Sequence, residues 1–243
     1  MTTSSSHPIE VTLLKTGETF TELKPQEGCY ETWFSRLFGG QITWDIIDAP
    51  YGDSLPPPQK IKALLITGSP VSIYERLDWS VACSRWLAKV WEQGIPILGV
   101  CYGHQLMADA LGGEVLPSPK GREMGSISVE QHGQDPIFRG LGTQFDVWQT
   151  HIDEVVRAPD MAEIIASNKH CAVQAMSIGP HCRTVQWHPE MNRAIMAHYI
   201  EARQSLIDQD WGQGAAESLL DRLPKELLSG QVIANNFVQS WLT

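Results

Sequence analysis

No stretch of this chain approaches the roughly 18 uninterrupted apolar residues that a membrane helix needs. The opening Met-Thr-Thr-Ser-Ser-Ser-His-Pro lacks the basic start and apolar run of a secretory signal. Residues 1–7 therefore read as a disordered leader, and the chain reads as a cytoplasmic protein with no membrane partner. Positive charge is scarce, with 18 Lys and Arg against 28 Asp and Glu and a formal net charge of −10. That balance argues against nucleic acid as a partner. Cysteines number five, an odd count at irregular spacing with no Cys-x-x-Cys pair. Both a disulfide framework and a zinc site are therefore disfavoured. Neither Gly-x-x-x-x-Gly-Lys-(Ser/Thr) nor Gly-x-Gly-x-x-Gly occurs, so no nucleotide cofactor is expected. Internal repeats and low-complexity tracts are missing as well.

What is present alternates between strands and helices. Apolar runs at 9–14, 42–47 and 61–67 read as strands, and 31–38 reads as a helix ended by Gly39-Gly40. Residues 78–93 have helical spacing, with Asp78 placed as an N-cap. Pro96 to Val100 is a further buried strand. The second half offers short strands at 126–129, 145–148, 163–165, 172–175 and 183–187, then a helix over 191–207. Amphipathic helices follow at 215–223 and 231–242, separated by Ser229-Gly230. The pattern predicts a doubly wound α/β domain over 8–207, its sheet mostly parallel with helices on both faces. Residues 208–243 read as a C-terminal helical extension packed on the same domain.

The chain is organised around Gly99-Val-Cys-Tyr-Gly-His-Gln105. An apolar strand leads into it and a helical pattern leaves it, so Cys101 sits on a sharp strand-to-helix turn. Small residues at 99 and 103 permit such a turn and let a nucleophile project from it. The position also meets the positive end of the following helix dipole, which favours negative charge on sulfur. Cys29, Cys83, Cys171 and Cys182 lack a glycine frame and read as packing residues, and His104 as structural.

A cysteine nucleophile needs a base to take its proton and return it to a leaving group. His188 ends an apolar strand, as Cys101 does, and Pro189 stops that strand from continuing. Glu190, two residues on, is spaced to hold the far ring nitrogen of His188.

These two motifs, with Val147-Trp-Gln-Thr-His-Ile-Asp153, resemble the class I (triad) glutamine amidotransferases over roughly residues 40–205. They are most similar to the glutaminase domains of GMP synthases. The resemblance implies that Cys101 attacks the side-chain amide of glutamine, that His188 shuttles the proton and that Glu190 orients His188. It implies an oxyanion hole from the backbone N–H groups of Tyr102 and of Ser69, in the turn Gly68-Ser69-Pro70. It also implies glutamyl contacts from Gly68, from Gln105, and from the backbone at Thr150 and His151 for the α-amino and α-carboxylate ends. Ser69 stands where the family often has glycine, and Thr150 and Ile152 replace Ser and Gly of the GMP synthase pattern.

Three readings remain open. One is a glutaminase releasing glutamate and ammonia for a separate synthetase subunit, since this chain is too short to hold a synthetase module. The second is a stand-alone γ-glutamyl peptidase or hydrolase acting on small γ-glutamyl conjugates. The third is a catalytically silent regulatory protein of the same fold. No metal or other cofactor is expected in any of them.

Overall fold

The structure, a computed structural model, describes residues 9–243, so the expected leader lies outside the described residues. In chain order the strands are β1 (Ile9–Lys15), β2 (Ile42–Asp48), β3 (Leu64–Ile66), β4 (Ile97–Val100), β5 (Glu114–Pro117), β6 (Glu123–Gln131), β7 (Gln144–His151), β8 (Asp153–Arg157), β9 (Ala162–Ser167), β10 (Ala175–Ile178) and β11 (Cys182–Val185). The α-helices are α1 (Lys24–Glu27), α2 (Tyr30–Leu37), α3 (Asp78–Glu92), α4 (Tyr102–Ala110), α5 (Arg193–Ala202), α6 (Gln204–Trp211), α7 (Ala215–Arg222) and α8 (Ser229–Phe237).

Nine strands form one sheet in the order β2-β1-β3-β4-β11-β10-β9-β6-β7. The first five are mutually parallel. The other four join by antiparallel pairing. As a result β2, β1, β3, β4, β11, β9 and β7 all point one way, and only β10 and β6 oppose them. The mostly parallel, doubly wound α/β expectation therefore holds. β5 and β8 form a separate two-stranded ribbon.

Alternation along the central strands builds two cores, one on each sheet face. Leu65, Leu98 and Val100 pack with α2, α5 and α8. Leu64, Ile66 and Ile97 pack with α3 and α4 on the opposite face. Buried on both sides, β4 is apolar throughout apart from Gly99, as a central parallel strand should be. Helix α3 buries Cys83, Trp86, Leu87 and Val90, one turn after another, on one stripe.

Several local expectations differ from the structure. Asp78 is not the N-cap of α3: Leu77 is, and the Asp78 carboxylate complements the helix dipole from within the first turn. The strand expected at 61–67 shrinks to Leu64–Ile66, because a 3-10 turn at Pro58–Lys60 directly precedes Ile61. The strand placed at 172–175 lies at Ala175–Ile178, where it pairs with both β9 and β11. The helix expected over 191–207 is two helices, broken at Arg203 (φ −112°, ψ 14°). Ser229 and Gly230 do not separate helices but begin α8, which ends at Phe237 in a π turn through Leu242. β5 and β8 were not expected, since their pairing joins segments distant in sequence.

Helices α7 and α8 add Ala216, Ile233, Ala234 and Phe237 to the same core as α2 and α5. Among the described residues no helix is long and apolar enough to cross a membrane.

Candidate active site

Four adjacent parallel strands, β1, β3, β4 and β11, end on the same side of the sheet. Loops from these carboxyl ends carry Thr16 to Phe20, Gly68 to Pro70, Cys101 and His188, the place where α/β sheets gather reactive groups. β7 sits at the far edge of the sheet, yet the His188 N–H donates to the Trp148 carbonyl at 2.8 Å. The antiparallel half thus curls back and returns Thr150 to the same site.

Cys101 links β4 to α4 with φ +52° and ψ −103°. Among the described residues, Arg76 is the only other non-glycine with positive φ. Holding a side chain there costs on the order of 1–3 kcal/mol, which the surrounding hydrogen bonds must offset. The Cys101 N–H donates to Val185 O at 2.8 Å, and the Gly103 N–H to Thr67 O at 3.1 Å. The two framing glycines have a steric basis. A β-carbon on Gly99 would lie 2.7 Å from Gly103 O, and one on Gly103 would lie 2.7 Å from Ile66 O. Helix and strands are too close for either.

The neighbouring Thr67–Gly68 loop is tied to β1 by Thr16. Its hydroxyl lies 3.0 Å from Thr67 O and 3.1 Å from Gly68 O. Gly68 in turn faces the reactive groups, since a β-carbon there would sit 3.0 Å from His188 Cε1 and 3.7 Å from Cys101 Cβ.

His188 and Glu190 are both buried, and His188 Nδ1 lies 2.7 Å from Glu190 Oε1. With Nδ1–H donated to the carboxylate, Nε2 is the nitrogen left to act as a base. It is buried and, among the described residues, has no hydrogen-bond partner. Burial works against a charged His188, but the negative charges of Cys101 and Glu190 outweigh it and hold the imidazolium well above the usual histidine range.

Cys101, His188, Ser69 and Thr150 open together onto a cavity of about 200 Å³. Tyr102, the first residue of α4, has an N–H with no acceptor inside the helix. Its side chain turns away, the hydroxyl lying 2.6 Å from Ser80 Oγ.

One expected substrate residue is placed differently. Gln105 does not line the cavity: its Nε2 donates to Asp153 O and to Gln186 Oε1, both at 3.0 Å. The ring of His151, whose backbone was the part expected at the substrate, turns inward, its nitrogens lying 3.0 Å from Asp153 O and 2.9 Å from Glu123 Oε2. Both belong to a buried polar network beneath the site. His104 is fully buried beside Thr184, Nδ1 to Oγ1 2.8 Å, and burial pushes its pKa down to about 3.

Residues without any local motif complete the cavity. Arg203, at the α5–α6 break, lies over the rings of Phe20 (4.8 Å) and Tyr199 (4.9 Å). Its Nη1 is buried without a partner. Across the cavity Glu18 pairs with Lys15 and with Lys24. Burial opposes the Glu18 carboxylate, yet the two lysines hold its pKa below the usual value. A guanidinium, a carboxylate, a cysteine sulfur and a histidine around one small cavity suit an α-amino acid with a reactive carbonyl. Among the described residues no group of His, Cys, Asp or Glu is placed to hold a metal ion.

The description of class-I glutamine amidotransferases matches residues 40–204. Residues of this chain are 39% identical over 138 residues to a GMP synthase (glutamine-hydrolyzing) of Syntrophomonas wolfei, covering 56% of the chain and 26% of that enzyme. A GMP synthase of Thermomicrobium roseum is 38% identical over 171 residues, covering 68% of the chain and 30% of the enzyme. The chain thus spans under a third of the length of these two relatives. Gamma-glutamyl peptidase 3 of Arabidopsis thaliana is 28% identical over 229 residues, covering 89% of the chain and 91% of that protein. A crystal structure of a glutamine amidotransferase from Thermotoga maritima shares the fold. Its TM-score is 0.78 at 20% identity, covering 98% of this chain and 99% of the other.

Proposed function

This chain belongs to the class-I glutamine amidotransferases, and from that premise we propose that it hydrolyses a γ-glutamyl amide through a thioester on Cys101. The observation that carries this reading is the buried His188–Glu190 pair, whose Nε2 is left without a partner in the cavity that Cys101 lines.

In the proposed reaction the Cys101 proton already rests on His188 Nε2, and the thiolate adds to the amide carbon. The N–H groups of Tyr102 and Ser69 receive the developing oxyanion. Collapse breaks the C–N bond, and the proton on His188 goes to the departing nitrogen. Water then loses a proton to His188 and adds to the thioester. The C–S bond breaks, the thiolate beside protonated His188 is restored, and glutamate leaves. Glu190 keeps Nδ1 protonated throughout, so that Nε2 is the basic nitrogen. Arg203 would hold the α-carboxylate and Glu18 the α-ammonium group.

The leaving group separates two readings. End-to-end similarity to a γ-glutamyl peptidase favours a small γ-glutamyl peptide, cleaved without a partner. Higher identity to GMP synthases over a shorter stretch favours glutamine itself, with ammonia passed to a separate synthetase. We take the peptide as the principal substrate class.

Release of glutamate from γ-glutamyl peptides and from L-glutamine, beside a Cys101→Ala control, tests this. Cys101-dependent cleavage of peptides, faster than glutamine, supports it. Slow glutamine turnover alone would favour the synthetase partner. No turnover of either compound would overturn the enzymatic reading.

A further inference from the structure

A second cavity, of about 350 Å³, opens between β6 and the helices α6 and α7. It lies beside the first. Met124 on β6 is directly opposite Thr150 on β7, and cross-strand partners project to the same face of a sheet. Thr150 lines the Cys101 cavity and Met124 lines the second. The two paired residues thus lie side by side, one on each cavity. Helix α6 bridges the same pair of spaces, with Arg203 just before its first residue and Trp211 as its last.

The lining of the second cavity has a definite chemistry. Arg122 is nine-tenths buried, and its guanidinium makes a single long contact, from Nε to Asp210 Oδ2 at 3.4 Å. Among the described residues its terminal N–H groups have no partner, and Arg122 lines the cavity. Arg222 stands on the α7 side. Trp211, 41% exposed, and Leu219 supply apolar surface. A nearly buried cation with unused donors, next to an exposed indole, suits a carboxylate carried on an apolar body.

Arg203 and Arg122 therefore offer two guanidinium groups, one in each cavity. Burial lowers the pKa of Arg203, and the positive charge of Arg122 lowers it further. Free glutamine carries one carboxylate, which Arg203 suffices to bind. A γ-glutamyl dipeptide carries a second carboxylate beyond the scissile amide.

We propose that the cavity lined by Arg122, Met124, Trp211 and Leu219 binds the leaving half of a γ-glutamyl peptide, with Arg122 on its terminal carboxylate. This rests on the γ-glutamyl reading above and names the residues that select the leaving group. An apolar residue such as phenylalanine, stacked on Trp211, suits the space.

The test compares kcat/KM of the full chain on γ-Glu-Phe and on its C-terminal amide, with N-acetyl-L-phenylalanine titrated calorimetrically as a ligand for this cavity. The expected result is a preference of about tenfold for the free acid, residing in KM. Arg122→Gln should erase that preference and Arg122→Lys should restore part of it. Equal cleavage of acid and amide by the wild type would overturn the proposal while leaving the γ-glutamyl hydrolase intact; no variant is needed for that comparison. Cleavage of neither compound would sink the hydrolase reading instead. The cavity would then be judged by N-acetyl-L-phenylalanine. Binding that disappears in Arg122→Gln would support it as a carboxylate site, and no binding to the wild type would overturn it.

Discussion

Gly230, in the first turn of α8, lies directly against the backbone carbonyl of Pro189, so closely that a β-carbon on it would overlap that oxygen. Pro189 stands between His188 and Glu190. The C-terminal helix therefore braces the turn that sets the distance between the proposed base and its carboxylate. Gly230→Ala should cost about 1–3 kcal/mol of stability and lower kcat more than it changes KM. Urea unfolding and steady-state kinetics on the same preparation check both. Unchanged kcat would remove the bracing role.

Cys101 is held at positive φ, a conformation that an L side chain adopts only at a cost. Cys101→Ala should abolish glutamate release, while Cys101→Gly should also be inactive but more stable than the alanine variant by about 1 kcal/mol. Thermal denaturation of the two variants side by side reads the difference. Equal stabilities would mean that the elbow is not strained.

Replacing Glu190 with Gln leaves the shape but removes one of the two negative charges that hold His188 protonated. Turnover should fall by ~10²–10⁴-fold, on the scale seen when a triad carboxylate becomes an amide. The pKa of His188 should fall with it, which an NMR titration of the ring protons would detect. A variant with wild-type turnover would show that Glu190 does not orient the base.

Arg203 tests the recognition of the glutamyl end. Losing a charge-assisted hydrogen bond costs about 2 kcal/mol, so Arg203→Gln should raise KM roughly 30-fold for glutamine and for γ-glutamyl peptides alike. The change should sit in KM and spare kcat. A fall in kcat alone would place Arg203 in the chemistry instead.

His104 and His188 respond to pH with opposite sign. His104 is buried neutral, its folded pKa pushed down to about 3 against 6.5 in the unfolded chain. Between those values the unfolded state binds the extra proton, so this contribution is complete above pH 6.5 and is lost as pH falls. For His188 the folded value is raised, so its contribution is complete below 6.5 and fades as pH rises through that raised value. At pH 4.5 His104 should cost on the order of 2–3 kcal/mol. In His104→Gln the acid-side slope of stability should be shallower than in the wild type. Parallel slopes would show that His104 is not the group titrating.

Much of the site was legible because its signals are local. A glycine two residues before and two after Cys101, following an apolar strand, is demanded by helix–strand contact that the distances at Gly99 and Gly103 display. His-Pro-Glu places a carboxylate two residues from an imidazole, and the structure has the two hydrogen-bonded. Gln105 and His151 were harder. Both lie near the site in sequence, but their side chains turn into a buried network with Asp153, Gln186 and Glu123. Nothing in the local pattern distinguishes a glutamine facing a cavity from one facing the interior.

By itself the sequence determined the alternating α/β order, the elbow at Cys101 and the residues that follow β11, since each depends on neighbours a few positions apart. Tertiary structure alone decided that the antiparallel half curls back to hydrogen-bond Trp148 to His188. It also decided that Arg203 lies over Phe20, that Gly230 meets Pro189, and that Met124 and Thr150 pair across β6 and β7 with one on each cavity. Those contacts join residues from distant parts of the chain. The close approach they require is set by packing across the whole sheet, which no local spacing encodes.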